Sequence, residues 1–195
     1  VLAGGALAVA ATGPSSSETP YLVPVEPGVS FTSILTVGDA VDGVNGAAYR
    51  MVGIPDGLGA FEDACGDTFT VLMNHELGDT VGVVRRHGAK GAFVSKWTVD
   101  KDTLEVLRGE DLVQRVARWT PAGWDTSAPV AFNRLCSADL PETSAFWNRR
   151  TKRGYHGRLF MNGEERGAEG LAYAHAMDGT SYQLPWLGRF SWENC

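Results

Sequence analysis

Two short segments carry the side chains in this sequence that are best placed to do chemistry. They read Met73-Asn74-His75-Glu76 and Met161-Asn162-Gly163-Glu164, and their Met, Asn and Glu residues are separated by a constant 88 positions. Each segment follows an apolar run that is typical of a buried strand. The carboxylate at the end of each segment is therefore expected at the end of that strand. An unpaired buried charge is very costly. The segments therefore predict two equivalent carboxylates, Glu76 and Glu164, that meet a partner or a cation.

Carboxylates gathered at one point form the oxygen-rich environment that calcium prefers. Glu165 follows Glu164 directly, and in an extended chain the two side chains point to opposite faces. One of them is then expected to be a ligand and the other a supporting or surface group. Asn74 and Asn162 are expected to add carbonyl ligands or to fix the carboxylates, and His75 fits a ligand, a general acid or a hydrogen-bonding residue. The competing interpretation is that the glutamates only bond to loop amides.

The chain contains three cysteines, Cys65, Cys136 and Cys195. In an exported protein an odd number leaves at least one thiol unpaired. A thiolate at Cys136 is suited to iron or another transition metal. The alternatives are a buried free cysteine and a disulfide between Cys65 and Cys136.

The first residues of the sequence predict export. Residues 1–11 are small and apolar, and Ala8-Val9-Ala10 fits the cleavage pattern of a secretory signal peptide. A polar segment follows, so residues 1–20 are interpreted as a signal-peptide remnant with a flexible spacer, and residues 21–195 as the folded domain. The apolar run is too short to span a bilayer, and no stable membrane insertion is expected after cleavage. We expect a periplasmic or extracellular protein.

Composition and the internal repeat both favour an all-β fold. The 24 glycines and nine prolines indicate many turns. A separation of 88 positions is about twice the roughly 40–50 residues of one propeller blade, so the predicted fold is a β-propeller with two blades per repeat. The second copy is unfinished at Cys195. We therefore expect the N-terminal portion of a larger propeller, inactive by itself and prone to associate through its open edges.

Alternating apolar and polar residues locate the expected elements. A turn is predicted at Ile54–Gly59, and one short helix at Glu110–Trp119, where apolar residues recur at helical spacing. Strands are predicted at Phe31–Val37, Thr68–Met73, Gly91–Val99, Thr103–Leu107, Arg158–Met161, Gly179–Leu184 and Arg189–Trp192. Ala48–Val52 is predicted to be a short strand or the start of a turn.

Four segments in this order resemble the PhoX-type alkaline phosphatase family, which is also described as a domain of unknown function. They are Ile54–Phe61, Leu72–Glu76, Arg134–Ser137 and Met161–Glu165, within a likeness that runs from roughly residue 30 to 194. The sequence departs from the family between the third and fourth segments. There the family's Pro-Trp-Gly-Thr is missing and a basic loop intervenes.

The resemblance implies an exported propeller that hydrolyses small phosphate monoesters with calcium and iron bound in its channel. Carried over to this sequence, it implies that Cys136 and Glu164 are metal ligands, with Glu165 beside them and Glu76 as a further candidate. It assigns no catalytic side chain among these residues.

Two other classes of protein fit the same residues. One is a non-catalytic extracellular propeller that is stabilised by calcium and binds a partner or a surface polymer. The other is a calcium-dependent propeller with esterase or lactonase activity. The net charge of −6 and the lack of a basic stripe disfavour nucleic-acid binding. No Ser-His-Asp arrangement, nucleophile elbow or P-loop is present in the sequence.

Overall fold

The computed structural model describes residues 8–193, and in this range the chain is built almost entirely from β-strands. The helical pieces of these residues are three short 3-10 segments, Thr143–Ala145, Gly167–Glu169 and Pro185–Leu187. The prediction of an all-β fold is therefore confirmed. Residues 1–7 of the predicted signal-peptide remnant, and Cys195, lie outside the described residues.

The strands are short and are numbered here in chain order. They are β1 (Val9–Thr12), β2 (Ser30–Ser33), β3 (Ala40–Asp42), β4 (Ala48–Arg50), β5 (Pro55–Glu62), β6 (Thr68–His75), β7 (Phe93–Asp100), β8 (Val106–Asp111), β9 (Arg115–Thr120), β10 (Gly123–Asp125), β11 (Leu135–Asp139), β12 (Trp147–Asn148), β13 (Arg153–Gly154), β14 (Leu159–Glu164), β15 (Ala172–Ala176) and β16 (Thr180–Gln183).

Two four-stranded runs organise most of these strands. In the first meander, β5, β6, β7 and β8 are neighbours in that order within one sheet. In the second meander, β11, β14, β15 and β16 are neighbours and pair antiparallel. Strand β9 extends the second sheet by pairing parallel with β16, and β10 completes its edge. No closed barrel or propeller is formed by the residues described.

The main hydrophobic core takes side chains from both meanders. Leu72, Phe132, Leu135, Phe160 and Tyr173 are buried together in one hydrophobic cluster. The ring of Phe132 meets that of Tyr173 edge to face, with their centroids 4.9 Å apart. Burying such side chains is the main driving force of folding, worth about 1.5–3 kcal/mol for each large one.

The chain divides into two compact units. Of the described residues, the first unit contains 8–52, Glu62–Phe69 and Trp97–Gly109. The second unit contains Gly53–Phe61, Thr70–Lys96 and residues 110–193.

Within the first unit, the segment predicted as a flexible spacer is held by hydrogen bonds. The hydroxyls of Ser16 and Thr36 lie 2.8 Å apart, and the Ser15 hydroxyl accepts the N–H of Val106 at 2.9 Å. Before it, β1 pairs parallel with β2 and includes part of the predicted cleavage pattern. None of the helical segments among residues 8–193 has the length and apolarity needed to cross a bilayer.

Several element predictions need correction. The helix predicted at Glu110–Trp119 is wrong, because this stretch contains the end of β8 and most of β9. Its helix-like spacing arises because Leu112 and Val113, in the bend between the strands, and Val116 all enter the core. Arg189–Trp192 is not a strand, and the strand predicted at Phe31–Val37 is only its first part, within β2.

The turn predicted at Ile54–Gly59 is also wrong, since β5 runs through it. Its glycines serve close packing instead of chain reversal. A Cβ on Gly57 would lie 2.5 Å from the Cβ of Ala138, and one on Gly59 would lie 2.8 Å from the Cβ of Leu140. Such distances are too short for real side chains, so glycine lets β5 approach the segment that contains β11.

Candidate metal centre

Three potential metal ligands come together at the edge of the second meander. The Sγ atom of Cys136 and one carboxylate oxygen each of Glu165 and Glu193 lie within 4.8 Å of one another. Cys136 is buried, Glu165 is half-buried and Glu193 is exposed, so the group lies between core and solvent. We call these three residues the candidate metal centre, or the centre for short.

A β-bulge aims Cys136 at this point. In the ladder of β11 and β14, Leu135 faces Glu164 and the next pair begins at Ser137, so Cys136 has no cross-strand partner. The extra residue of a bulge bends its strand and re-aims a side chain, a device common beside active sites. Antiparallel pairing then brings the residue that follows β14, Glu165, to the same end of the sheet.

Glu193 is brought to the centre by its neighbour Trp192. The N–H of Trp192 donates to the carbonyl of Glu164 at 3.0 Å, and the Cys136 thiol donates to the carbonyl of Trp192 at 3.1 Å. The side chain of Trp192 lies directly on Gly163, where a Cβ would come within 2.4 Å of the tryptophan Cβ. The absence of a side chain at position 163 therefore allows the third ligand to arrive.

The first meander contributes two more carboxylates, Asp56 and Glu76, at matching positions. The N–H of Glu76 donates to the carbonyl of Ile54, two residues before Asp56, at 2.9 Å. The same bond, again 2.9 Å long, links Glu165 to the residue two places before Cys136. By this backbone correspondence, Asp56 matches Cys136 and Glu76 matches Glu165.

The carboxyl group of Asp56 is affected by its acidic neighbours. Burial raises the pKa of its carboxyl group, and the negative charges of Glu76 and Glu193 raise the pKa further. Like charges held together in this way favour a cation between them.

Arg134 bridges the two meanders at the centre. Its Nε donates to the Glu76 carboxylate at 2.9 Å, and its Nη2 bonds to the carboxylate of Glu165. Its backbone has a φ of 48°, in the left-handed region that residues other than glycine rarely adopt. Local strain of this kind is often found at functional sites. About half of the Arg134 side chain remains exposed to solvent.

The thiol of Cys136 is strongly disfavoured from ionising by itself. Burial, followed by the charges of Glu193, Glu165, Asp56 and Glu76, raises its pKa to about 12. A metal ligand must be the thiolate, so a bound cation would have to displace the proton and offset those negative charges. Without a cation, Cys136 is therefore protonated near neutral pH.

Glu164 is placed differently from Glu165. Its carboxylate is buried, and its two oxygens accept the backbone N–H groups of Asn133 at 2.8 Å and Leu171 at 3.2 Å. Burial raises the pKa of this carboxyl group. Glu164 thus ties two loops to the end of β14 and is not one of the three clustered ligands.

The paired asparagines predicted from the repeat face each other. The side-chain amide of Asn162 donates to the Asn74 Oδ1 at 3.0 Å, and the amide of Asn74 donates to the carbonyl of Ser137 at 2.9 Å. The Nε2 of His175 lies 2.8 Å from the Asn162 Oδ1. These buried bonds fix the strands that deliver the acidic residues, so the asparagines act as supports.

His75 points into the core. It is fully buried, its Nε2 lies 2.8 Å from the hydroxyl of Ser95, and its ring stacks on Phe93 with centroids 4.0 Å apart. The sequence left three roles open for His75: a ligand, a general acid or a hydrogen-bonding residue. This arrangement fits the hydrogen-bonding role.

A small cavity of about 100 Å³ adjoins the centre. Ser137, Met161, Asn162, Leu187 and Trp192 contribute to its lining. The lining of the cavity is mostly apolar. It lies beside the charged cluster, because Trp192 precedes Glu193 and its carbonyl accepts the hydrogen bond of the Cys136 thiol.

The donor set fits two kinds of cation. A thiolate with two carboxylates is suited to a transition metal such as iron. The neighbouring oxygens of Asp56 and Glu76 are hard ligands suited to calcium. The structure therefore places Cys136 and Glu165, predicted from the sequence, with two residues that the sequence interpretation missed, Asp56 and Glu193. Both missed residues lie outside the matched Asn-x-Glu segments, and no repeat marked them.

Comparison with known proteins gives no relative for this chain. No family model matches it, and neither the curated proteins nor the solved structures gave a match. The resemblance to PhoX-type phosphatases stays a prediction from the sequence segments described above.

Proposed function

We propose that this chain contributes the metal-binding part of an exported, metal-dependent phosphomonoesterase of the PhoX type. The observation that carries the proposal is the grouping of Cys136, Glu165 and Glu193 within 4.8 Å, with two further carboxylates nearby. In this proposal iron is held at the candidate metal centre, and calcium by Asp56 and Glu76.

A propeller arrangement is part of the proposal. Each meander has four neighbouring strands, which is the composition of one propeller blade. In both meanders, the start of the first strand and the end of the second supply the acidic or thiol residues. Matching ends of successive blades line the central channel of a propeller, where shared metal sites are well placed.

The bound cations and the side chains of the chain would then have separate roles in ester hydrolysis. The cations, when bound, supply Lewis acidity to the phosphoryl oxygens and offset their charge. Cys136 must release its Sγ proton to become a ligand, while Glu165 and Glu193 offset the cation's charge. The planar guanidinium of Arg134, half exposed at the centre, has the donor geometry that binds phosphate oxygens. The apolar cavity at Trp192 gives room to a small ester group.

Metal content tests the first half of the proposal. We expect anaerobic titration with ferrous iron, followed by elemental analysis, to show bound iron in the wild-type chain and in Cys65→Ser. Cys136→Ser should lose it. The control is apt because Cys65 is an exposed free thiol outside the centre. Iron content equal in the two variants would contradict the assignment.

Turnover of a generic phosphomonoester tests the second half, with the protein in its full natural length and with iron and calcium supplied. We expect activity that needs both cations and that Cys136→Ser abolishes. Absence of turnover together with absence of bound metal would end the proposal. Hydrolysis of carboxylic esters with calcium alone, unchanged in Cys136→Ser, would instead identify a calcium-dependent esterase.

A further inference from the structure

The hairpin of β12 and β13 presents an unusual concentration of positive charge. Its tip carries Arg149, Arg150, Lys152 and Arg153, all exposed. Nine of the seventeen cationic side chains form ion pairs with acidic residues. Among residues 8–193, none of these pairs involves the tip, which holds half of the remaining eight cations. The protein as a whole is acidic, with a formal net charge of −6.

The tip is a defined turn. The Asn148 Oδ1 accepts the backbone N–H groups of Arg150 at 3.0 Å and Thr151 at 3.1 Å, which closes the turn. Lys152 then adopts a left-handed conformation with a φ of 53°. These local constraints hold the cations close together although like charges repel.

The base of the hairpin is also constrained. The N–H of Tyr155 donates to the carbonyl of Phe146 at 2.9 Å. At Gly154, whose φ is 110°, a Cβ would lie only 1.9 Å from that carbonyl oxygen, so glycine is needed for the two chains to approach. The hairpin that carries the charged tip is therefore closed at its base by a backbone hydrogen bond.

Aromatic rings flank the charged tip. Trp147 is half-buried and lies against His156, with their ring centroids 5.0 Å apart, and the side chain of Tyr155 is exposed. Tryptophan and tyrosine beside lysine and arginine are typical of sites at the membrane–water interface. The rings can enter the headgroup region while the cations meet lipid phosphates.

We propose that this hairpin docks the protein peripherally on an anionic phospholipid surface. Four cations on a short turn can meet several headgroups of a flat surface at once. A long polyanion such as nucleic acid would need an extended track of cations, and the acidic remainder of the protein would repel it. Near an anionic bilayer, by contrast, the attraction is local, because it is screened within about 8 Å at physiological salt.

The position of the hairpin in the fold determines which end of the sheet would face the lipid. The hairpin lies within the connection from Asp139, at the end of β11, to Leu159, at the start of β14. Cys136 and Glu165 lie toward the opposite end of the same two strands. Docking through the hairpin would therefore leave the candidate metal centre at the end of the sheet that faces away from the lipid.

Vesicle co-sedimentation tests the inference. We expect the protein to bind phosphatidylcholine vesicles that contain about one-third phosphatidylglycerol, but not phosphatidylcholine alone, and high salt should release it. The double variant R149Q/R150Q should bind the anionic vesicles about thirty-fold more weakly. The control K90Q/R108Q removes the same charge from two exposed cations without ion pairs and should bind as wild type.

Two results would overturn the inference. One is equal loss of vesicle binding in both double variants, which would reduce the effect to net charge. The other is binding to duplex DNA but not to the anionic vesicles, which would identify a different polyanion. Iron content should be unchanged in R149Q/R150Q, so lipid binding can fail without affecting the proposed metal centre. Circular dichroism should show wild-type thermal unfolding in both variants.

Discussion

The two Asn-x-Glu segments occupy the same position in their meanders but end in different chemistry. In the first, His75 fills the middle position, stacks on Phe93 and turns into the core. In the second, the middle position is Gly163, and Trp192 lies on it and carries Glu193 to the thiol. The missing side chain at Gly163 thus leaves room at the second strand end for Trp192, which is followed by the third clustered residue, Glu193.

The comparison also shows how a repeat can mislead about side chains. A separation of 88 positions matches Glu76 with Glu164, whereas the backbone hydrogen bonds match Glu76 with Glu165. The β-bulge at Cys136 lies where the two alignments part. Repetition therefore places the strand, while local backbone geometry selects the side chain that faces the site.

The largest expected effect concerns the two described thiols. Without metal, Cys136 has a pKa raised to about 12, whereas hydrogen bonding to the Thr68 hydroxyl lowers the pKa of exposed Cys65. At pH 8 we therefore expect iodoacetamide to alkylate Cys65 at least about a thousandfold faster, measured by peptide mass spectrometry. Comparable rates for the two thiols would contradict the crowding of carboxylates around Cys136.

Replacing Glu164 and Glu165 one at a time should distinguish an effect on stability from an effect on metal binding. Glu165→Gln should weaken binding of ferrous iron about a hundredfold, measured by anaerobic titration, with little change in stability. Glu164→Gln leaves a buried N–H of Asn133 or Leu171 poorly paired and should lower the free energy of unfolding by about 1–3 kcal/mol. If Glu164→Gln proved to be the variant that loses iron, the 88-residue alignment would describe the site better than the backbone bonds do.

Acid should destabilise the protein through His87, in the connection between β6 and β7. Burial lowers its pKa to about 4, below its ordinary value of 6.5, and both ring nitrogens lack hydrogen-bond partners within the described chain. The unfolded state therefore takes up a proton first, and stability is lost as pH falls from 6.5 toward 4. The loss between pH 7 and pH 5 is about 2 kcal/mol.

His87→Phe should remove that part of the pH dependence, because the new ring retains the contact with Phe132 and cannot be protonated. Urea unfolding at the two pH values measures it. His175, in the second meander, has a pKa lowered by burial to about 3 and should keep the variant partly acid-sensitive. An unchanged pH dependence in His87→Phe would show that His87 does not contribute.

Gly163→Ala tests how Glu193 reaches the centre. Its Cβ would displace Trp192, at a cost of about 1–3 kcal/mol, and would carry Glu193 away from Cys136. Iron binding should weaken in proportion to this displacement, measured by the same titration. Gly78→Ala is the control, since its nearest neighbour is Val81 at 3.7 Å. Wild-type iron affinity in Gly163→Ala would show that Glu193 is not needed.

Much of the fold was predictable because it depends on patterns along the chain. Alternating burial in β7 and the turn that returns into β8 follow from residue order. Leu112 and Val113 misled because a bend between strands can bury neighbouring apolar residues as a helix does. The glycines of β5 misled because close packing needs glycine as much as a turn does.

The site was predictable only in part, for a different reason. Cys136 and Glu165 could be selected because each is chemically distinctive or adjoins the repeat. Asp56 precedes a glycine in a segment that resembled a turn, and Glu193 depends on the path of the chain after β16. Contacts between residues far apart in sequence determine both positions, and a single sequence does not display them.

The bond between Asn74 and Asn162 has a consequence for how the two halves of the site can change. A carboxamide carries both a donor and an acceptor, so two copies of the same residue can bond to each other, as Asn162 does by donating to the Asn74 Oδ1. Two identical charged residues would repel there. A duplicated unit can therefore keep asparagine in both copies, whereas aspartate in either copy loses the side-chain donor that Asn74 gives to Ser137 or Asn162 gives to Asn74.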